Sequence, residues 1–274
     1  MRNDGRLLIA ILMLIPVVSI VSCSSGSKEG ASNNPEAVRM MKMLPANHGE
    51  FLYMDLYKMR TNDYLLSLLE WCKSEGEMYL PDQANGCGLL GDGKGEYLYM
   101  LEGNLSTNQT GVNTSTESYN YGGFTIWSPD GYHSAAIINN ISISGTDSIM
   151  KGCIDTVNGK ADSMYDNVKD VVDRLPAGFA LEFWDNNSSP EGFSGLLAEG
   201  ESVTEQGDND VATLVYKFNS SEVAQHYAEL SNFPYNGGDL FIPNASVNPD
   251  VKRDGVFVTV VITSRMPTPT GGTH

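Results

Sequence analysis

The sequence predicts an α+β protein made of two related halves, each an antiparallel sheet with helices on one face. Three observations support this prediction. Apolar residues recur at helical spacing ahead of two Pro-Ala pairs, short turns join apolar strands, and the same order of elements occurs twice. Strands joined by tight turns pair antiparallel, and helices at the ends of each half cover one face of its sheet.

Each half begins with an amphipathic helix that ends before a proline. The apolar positions have the spacing i, i+3, i+4, i+7 in both halves: Ala37, Met40, Met41 and Leu44, then Val168, Val171, Val172 and Leu175. Pro45 and Pro176 end the helices because the residue before a proline is pushed toward extended geometry. The strands that follow, FLYMDL and ALEFWD, reach Asp55 and Asp185, about 130 residues apart.

The later elements of the two halves also match. YLYMLEGN and GLLAEGES each place an apolar strand before Glu-Gly, and hairpins with Pro-Asp-Gly and Gly-Asn/Asp turns follow as FTIWSPDGYHSAAII and ESVTEQGDNDVATLVYKF. A helix around Met150 to Val157 and one around Val223 to Leu230, capped by Ser220 or Ser221, come next. The strand GVFVTVVIT closes the second half. We therefore expect halves at residues 36–160 and 161–264.

Residues 1–22 have the layout of a secretory signal peptide. Arg2 and Arg6 form a basic start, and residues 7–21 are an uncharged apolar stretch broken only by Pro16 and Ser19. This stretch of about 15 residues is shorter than the roughly 20 that a helix needs to cross the hydrocarbon layer. We therefore expect cleavage rather than permanent spanning.

The segment Ile20-Val21-Ser22-Cys23 resembles the lipobox of bacterial lipoproteins. The resemblance implies that Cys23 becomes the diacylglyceryl-modified first residue of the mature chain, held on the extracytoplasmic side of a cell membrane or outer membrane. Two acyl chains make release slow, because each buried methylene contributes about 0.8 kcal/mol. Residues 23–35 are then expected to be a flexible tether and residues 265–274 a disordered tail. The alternatives are a secreted protein with an incidental Cys23 and an uncleaved anchor.

The chain is strongly acidic, with a formal net charge of −17. Cleavage after Ser22 removes Arg2, Arg6 and Asp4, which changes the net charge to −18. Such a surface repels phosphate backbones and anionic lipid headgroups, so nucleic acid is not an expected partner. The expected partners are the membrane, through lipid on Cys23, and an envelope protein or a ligand that the sequence does not identify.

Three cysteines remain after Cys23 is assigned to the anchor. Cys72 and Cys87 enclose a short loop and are a candidate disulfide, which would stabilise the fold by about 3 kcal/mol. Sequence spacing does not establish connectivity, so three reduced and mostly buried cysteines are the alternative.

No motif in the sequence predicts a cofactor or a metal. The segment GCGLLGDGKGE lacks the strand before it and the helix after it that a dinucleotide fingerprint needs, and Gly95 stands where a phosphate loop has Ser or Thr, so we interpret it as a glycine-rich turn. QGDNDVA and DGKGE only partly match a calcium loop. The histidines lack zinc spacing, and the chain has no G-x-S-x-G elbow.

Aromatic residues are the remaining candidates for a binding site. Four of them are candidate stacking residues for a sugar or a partner's apolar patch: Tyr119, Tyr121, Trp127 and Trp184. Packing into the core is the alternative for each of them.

Together these features predict a membrane-anchored extracytoplasmic lipoprotein with a non-catalytic binding or interaction role. A solute-binding lipoprotein of a transporter is one alternative, although hairpins do not suit the parallel sheets of that class. An envelope hydrolase is another. A clustered, buried carboxylate or histidine in a cleft would favour the hydrolase, and the sequence shows no such cluster.

Overall fold

The computed structural model describes residues 33–46, 49–61, 65–66, 69–70, 73, 79–91, 96–105, 117–128, 131–185, 193–206, 209–230 and 249–265. Cys23, the signal peptide and nearly all of the tether and tail lie outside these ranges, so those assignments stay predictions. None of the helices within the ranges has the length and apolar character that a membrane crossing requires.

The described strands form one antiparallel sheet of twelve strands, in the spatial order β11-β12-β10-β9-β8-β1-β2-β3-β7-β6-β5-β4. The strand bounds are Glu50–Asp55 (β1), Ala84–Gly91 (β2), Tyr97–Gly103 (β3), Ser118–Tyr121 (β4), Phe124–Trp127 (β5), His133–Ile138 (β6), Ile141–Thr146 (β7), Ala180–Asp185 (β8), Leu196–Gln206 (β9), Asn209–Phe218 (β10), Asp250–Asp254 (β11) and Phe257–Arg265 (β12). This confirms the prediction of an α+β fold with antiparallel strands.

Five helices have described bounds and flank the sheet: Pro35–Met41 (α1), Leu56–Arg60 (α2), Asp147–Val157 (α3), Met164–Val172 (α4) and Ser221–Ala228 (α5). The two amphipathic helices predicted before Pro45 and Pro176 are α1 and α4. Ser220 is the N-cap of α5, and its hydroxyl accepts a hydrogen bond from the backbone N–H of Val223 at 3.3 Å. This confirms the predicted serine cap.

The first and second parts of the chain share this single sheet. Strand β1 pairs antiparallel with β8, from Glu50 opposite Trp184 to Met54 opposite Ala180. We call the β1–β8 pair the seam. Around it, the N–H of Met164 donates to the carbonyl of Leu44 at 2.8 Å, so the start of α4 is also tied to the segment after α1.

The prediction of helices on one face was wrong, because helices cover both faces. On face A, which carries Phe51 and Phe183, helices α1, α3 and α4 bury a large apolar core. On face B, which carries Leu52 and Glu182, α2 covers an apolar cluster around Leu52 and Met54, and α5 covers another around Tyr216 and Phe218. The expectation came from the helices at the ends of each half, and the sequence did not show that α2 and α5 would cover the other face.

The glycine-rich segment was also misinterpreted, since Gly86 and Gly88 lie within strand β2 rather than in a turn. A Cβ at position 88 would lie 2.8 Å from the sulfur of Met40 and 3.0 Å from the ring of Phe51. Gly88 therefore allows α1 to pack closely on the sheet.

Candidate functional site

The structure separates the four candidate stacking aromatics. Tyr119 and Tyr121 lie on the edge strand β4, whereas Trp184 belongs to β8 at the seam, seven strand spacings or about 34 Å across the sheet. The side chain of Trp184 lies outside the described residues. Trp127 is opposite Ser118, and Tyr119 is opposite Ile126, so Trp127 and Tyr119 point to different faces. Only Tyr119 and Tyr121 remain as neighbours on one face.

The candidate disulfide is described at one of its two positions. Cys87 is a buried thiol in β2, and Cys72 lies outside the described residues. The Cys72–Cys87 bond therefore stays a prediction.

Tyr119 lines a surface pocket of about 540 Å³ at the outer end of the sheet, between β4, β5 and the start of α3. This volume lies in the range of small-molecule sites. The described lining residues are Glu117, Ser118, Tyr119, Ser128, Gly131, Asp147 and Lys151.

Asp147, the first residue of α3, organises this pocket. Its Oδ1 accepts hydrogen bonds from the hydroxyl of Tyr119 and, at 2.8 Å, from the hydroxyl of Ser134. Its Oδ2 lies 2.6 Å from Nζ of Lys151, one turn further along the helix. The ammonium group of Lys151 also lies 5.3 Å from the ring centre of Tyr119. Each side chain of this triad therefore holds the next in place.

A second triad of the same composition lies beside the pocket without lining it. The hydroxyl of Tyr121 donates to Oδ2 of Asp155 at 2.8 Å, and Nζ of Lys160 lies 3.0 Å from Oδ1 of Asp155. Lys160 also lies 5.8 Å from the ring centre of Tyr121. Because β4 and α3 run alongside each other, this Tyr-Asp-Lys set is a natural internal control for the pocket.

The charges of the pocket triad are fixed at neutral pH. Desolvation acts to raise the pKa of Asp147, but hydrogen bonds from Lys151, Tyr119 and Ser134 outweigh it and lower this pKa. The hydrogen bond to Asp147 raises the pKa of Lys151. Desolvation and the bond to Asp147 raise the pKa of Tyr119. None of the three groups is poised to exchange a proton near pH 7.

Sequence reasoning missed a second feature, which is a group of glutamates inside the molecule. Glu182 on β8 is directly opposite Glu201 on β9, and Glu199 lies two residues before Glu201 on the same face. Glu50 on β1 forms a side-chain hydrogen bond with Glu182 across the seam. The side chains of Glu182, Glu199 and Glu201 are about 95% buried on face B. We call these four residues the glutamate cluster.

Burial changes the acidity of the whole glutamate cluster. Desolvation raises the pKa of Glu201 to about 7 and, with the charge of Glu201, the pKa of Glu199 to about 8. Desolvation and the neighbouring charges of Glu201 and Glu50 raise the pKa of Glu182 well above its usual value. Desolvation also raises the pKa of Glu50. Several of these carboxyl groups therefore hold protons at neutral pH.

The sequence analysis did not reveal this buried cluster. The segment AEGES places glutamate at alternate positions, Glu199 and Glu201, whereas ALEFWD contains the single glutamate Glu182. The spacing in AEGES is typical of a strand with one solvent-facing side. The only sequence signal of the cluster is the repeated Glu-x-Glu spacing in β9, and this spacing does not reveal which face becomes covered.

Within the described part of the chain, no group of three or more His, Cys, Asp or Glu side chains is arranged to hold a metal ion. The expectation that the protein needs no cofactor stays a prediction.

The chain is similar to an uncharacterized relative and, more distantly, to solved structures. No family model matches it. An uncharacterized protein of Methanocaldococcus jannaschii, MJ0635, is 26% identical over 280 residues, which cover 94% of each chain. Among solved structures, crystal form I of TP0453 covers 82% of this chain and 92% of its own, at 13% identity and a TM-score of 0.48. Crystal form III of TP0453 gives 10% identity and a TM-score of 0.44.

Proposed function

We propose that this protein is an extracytoplasmic binding protein, anchored to a membrane by lipid on Cys23, whose ligand site is the pocket around Tyr119, Asp147 and Lys151. The observation that carries the binding role is the fixed charge of this pocket. Its carboxylate, ammonium and hydroxyl groups form hydrogen bonds and an ion pair with one another, so none of them is poised to exchange a proton. This arrangement suits recognition of a ligand better than proton transfer.

The lipobox supports the lipid anchor, and the start of the described chain sets how far the anchor lies from the sheet. The side-chain amides of Asn33 and Asn34 donate to the carbonyls of Leu175 and Pro176 at 3.1 and 3.0 Å, and the N–H of Gly178 donates to Asn34 at 3.0 Å. The ten residue-to-residue steps from Cys23 to Asn33 reach at most about 35 Å. A lipid on Cys23 would therefore keep the sheet close to the bilayer.

The position of the pocket suits a ligand that arrives from outside. The anchoring bonds of Asn34 lie at the end of the sheet where β8 begins. Asp147 lies toward the opposite end. Through β3, β2 and β1, Gly145 is in register with Phe183 of β8, and Asp147 lies two residues further in the direction of Asp185. The two ends are about 20 Å apart along the strands. We propose that the pocket faces away from the membrane.

The lining groups favour an uncharged polar ligand. Hydroxyl groups of Ser118, Ser128 and Tyr119 and the carboxylates of Glu117 and Asp147 offer both donors and acceptors. The strong negative charge of the protein disfavours anions. A sugar or another polyhydroxylated molecule fits this description.

We also propose that the two halves of the chain are related by duplication. From the seam outward the strands run β1-β2-β3-β7-β6 on one side and β8-β9-β10-β12-β11 on the other. The same winding of five strands on each side of the seam supports duplication. The match of YLYMLEGN with GLLAEGES was misaligned, because the first segment is in the third strand from the seam and the second segment is in the second strand.

Thermal unfolding with a panel of small molecules tests the binding role. The mature chain with Cys23→Ser is melted with sugars, amino acids, peptides, nucleotides and divalent ions. A ligand at 100 times its Kd adds about 2.7 kcal/mol, and each kcal/mol moves Tm by about 2–4 °C in a protein of this size. We expect a shift with a sugar or polyol.

Matched variants assign the shift to the pocket. Tyr119→Phe and Lys151→Gln should remove it, whereas Tyr121→Phe and Lys160→Gln change the neighbouring triad and should retain it. No shift in the panel, or equal loss in both pairs, would contradict the site. Turnover of the bound molecule would favour the envelope hydrolase. A ligand that binds between two other surfaces of the protein, and not in this pocket, would favour a transporter's solute-binding protein.

A further inference from the structure

The glutamate cluster lies where the two sides of the sheet meet. Glu50 belongs to β1 and Glu182 to β8, so their hydrogen bond crosses the seam on face B. Two carboxyl groups hydrogen-bond to each other only when one of them holds a proton. A proton shared by Glu50 and Glu182 would therefore join β1 to β8 on face B.

The cluster has few other partners. Buried oxygen atoms of Glu50, Glu199 and Glu201 lack a hydrogen-bond partner among the described residues. Tyr216 on β10 donates a hydrogen bond to Glu199. No ion pair formed within the described ranges includes a member of the cluster. Loss of protons would thus leave buried negative charges without compensation.

The charged groups on neighbouring elements of face B are engaged elsewhere. On α2, Lys58 donates to the carbonyl of Gly178 and pairs with Asp55, and Arg60 donates to the carbonyls of Ala84 and Pro81.

Three more titratable residues lie on the elements around the cluster. Cys87 on β2 is a buried thiol. On β9, Glu205 is exposed. His226 lies in the last turn of α5, where its ring contacts Tyr227.

We propose that the glutamate cluster is a proton-operated latch. When it is protonated, it holds β1 and β8 together on face B of the seam, and when it is deprotonated, it lets the two strands separate there. Face A supplies the hinge, because helices α1 and α4 and the bonds from Asn33 and Asn34 still join the two sides there. This inference does not depend on the pocket or on the lipid anchor.

The raised pKa values give the direction of the effect. Above about pH 4.5 the unfolded chain has released protons that the folded state still holds. The glutamate cluster therefore contributes its full stabilisation of the folded state below that pH. This stabilisation is lost as pH rises through about 7 for Glu201 and about 8 for Glu199.

Reversible urea unfolding between pH 5.5 and 8.5 tests the latch on the mature chain with Cys23→Ser. The unfolding constant should rise up to tenfold per pH unit for each extra proton of the folded state. The double variant Glu199→Gln with Glu201→Gln mimics the protonated acids and should flatten this rise. Glu205→Gln, an exposed change on the same strand and face, should leave it unchanged.

An equal rise in the double variant and the wild type would overturn the latch. The infrared carbonyl band of protonated carboxylic acids keeps the proposal testable if the double variant does not fold. In the wild type at pH 6.5 this band should be present, and it should weaken by pH 9 as Glu201 and Glu199 lose their protons. Its absence at pH 6.5 would also overturn the proposal.

Opening can be located by hydrogen exchange followed by mass spectrometry. After correction for the intrinsic effect of pH, peptides from β8 and β9 should lose protection between pH 6 and 9, whereas peptides from α1 and α4 should keep it. Uniform loss across the sheet would contradict a latch confined to the seam.

Discussion

Gly88 shows how a single residue sets the distance between α1 and the sheet. Its missing side chain leaves room for Met40 and Phe51, both fully buried, and a methyl group would meet them at 2.8 and 3.0 Å. Close-packed cores accommodate such additions only by shifting neighbours.

We therefore expect Gly88→Ala to lower the free energy of unfolding by about 1–3 kcal/mol. Gly91→Ala is the matched control on the same strand, because a Cβ at position 91 meets nothing within 4 Å. Urea midpoints of the two variants and the wild type provide the measurement. Equal midpoints for Gly88→Ala and Gly91→Ala would show that α1 does not pack as described.

Residue patterns predicted some of these features and could not predict others. The spacing of apolar residues around Met40 and Val171 predicted α1 and α4, because a period of 3.6 residues is typical of an amphipathic α-helix. The glycines of β2 indicated a turn because no sequence signal shows that a helix packs above them. The sequence around Glu182 and Glu201 could not predict their burial, because alternation reveals two faces without saying what covers each one.

At the scale of elements, local hydrogen bonds fix the start of α4. Ser163 and Asp166 form a capping box, in which the hydroxyl of Ser163 accepts from the N–H of Asp166 at 3.3 Å and Asp166 accepts from the N–H of Ser163 at 3.1 Å. The hydroxyl and the N–H of Ser163 both lower the pKa of Asp166.

Loss of this cap should destabilise the protein. Ser163→Ala is expected to cost about 1 kcal/mol of unfolding free energy. Ser221→Ala, at the first position of α5, removes only a contact with Glu222 and should change stability by less than about 0.5 kcal/mol. Chemical denaturation distinguishes the two. A Ser163→Ala variant as stable as Ser221→Ala would mean that the box contributes nothing.

Element order could be predicted more readily than sheet order. The sequence indicated the β9–β10 hairpin and the closing strand β12, because tight turns and apolar runs are local features. It did not indicate that β8 pairs with β1, since that contact joins residues about 130 positions apart and depends on how the faces are covered. The seam and its glutamates therefore emerged only from the structure.

For the whole molecule, one continuous sheet brings together three separate features. The chain enters at one end of the strands, the polar pocket lies at the other end, and the glutamate cluster lies at the seam between them. A protein held by a short lipid-bearing tether would present the pocket to the outside. The anchor is the claim on which this orientation depends.

The mass of the intact chain extracted from membranes tests that claim most directly, after expression of all 274 residues in a bacterial host. We expect a chain that begins at Cys23 and carries the added mass of a diacylglyceryl group, while a Cys23→Ala variant keeps residues 1–22 or lacks the lipid. A wild-type chain with an unmodified Cys23, or one that retains residues 1–22, would contradict the lipid anchor and the outward orientation of the pocket.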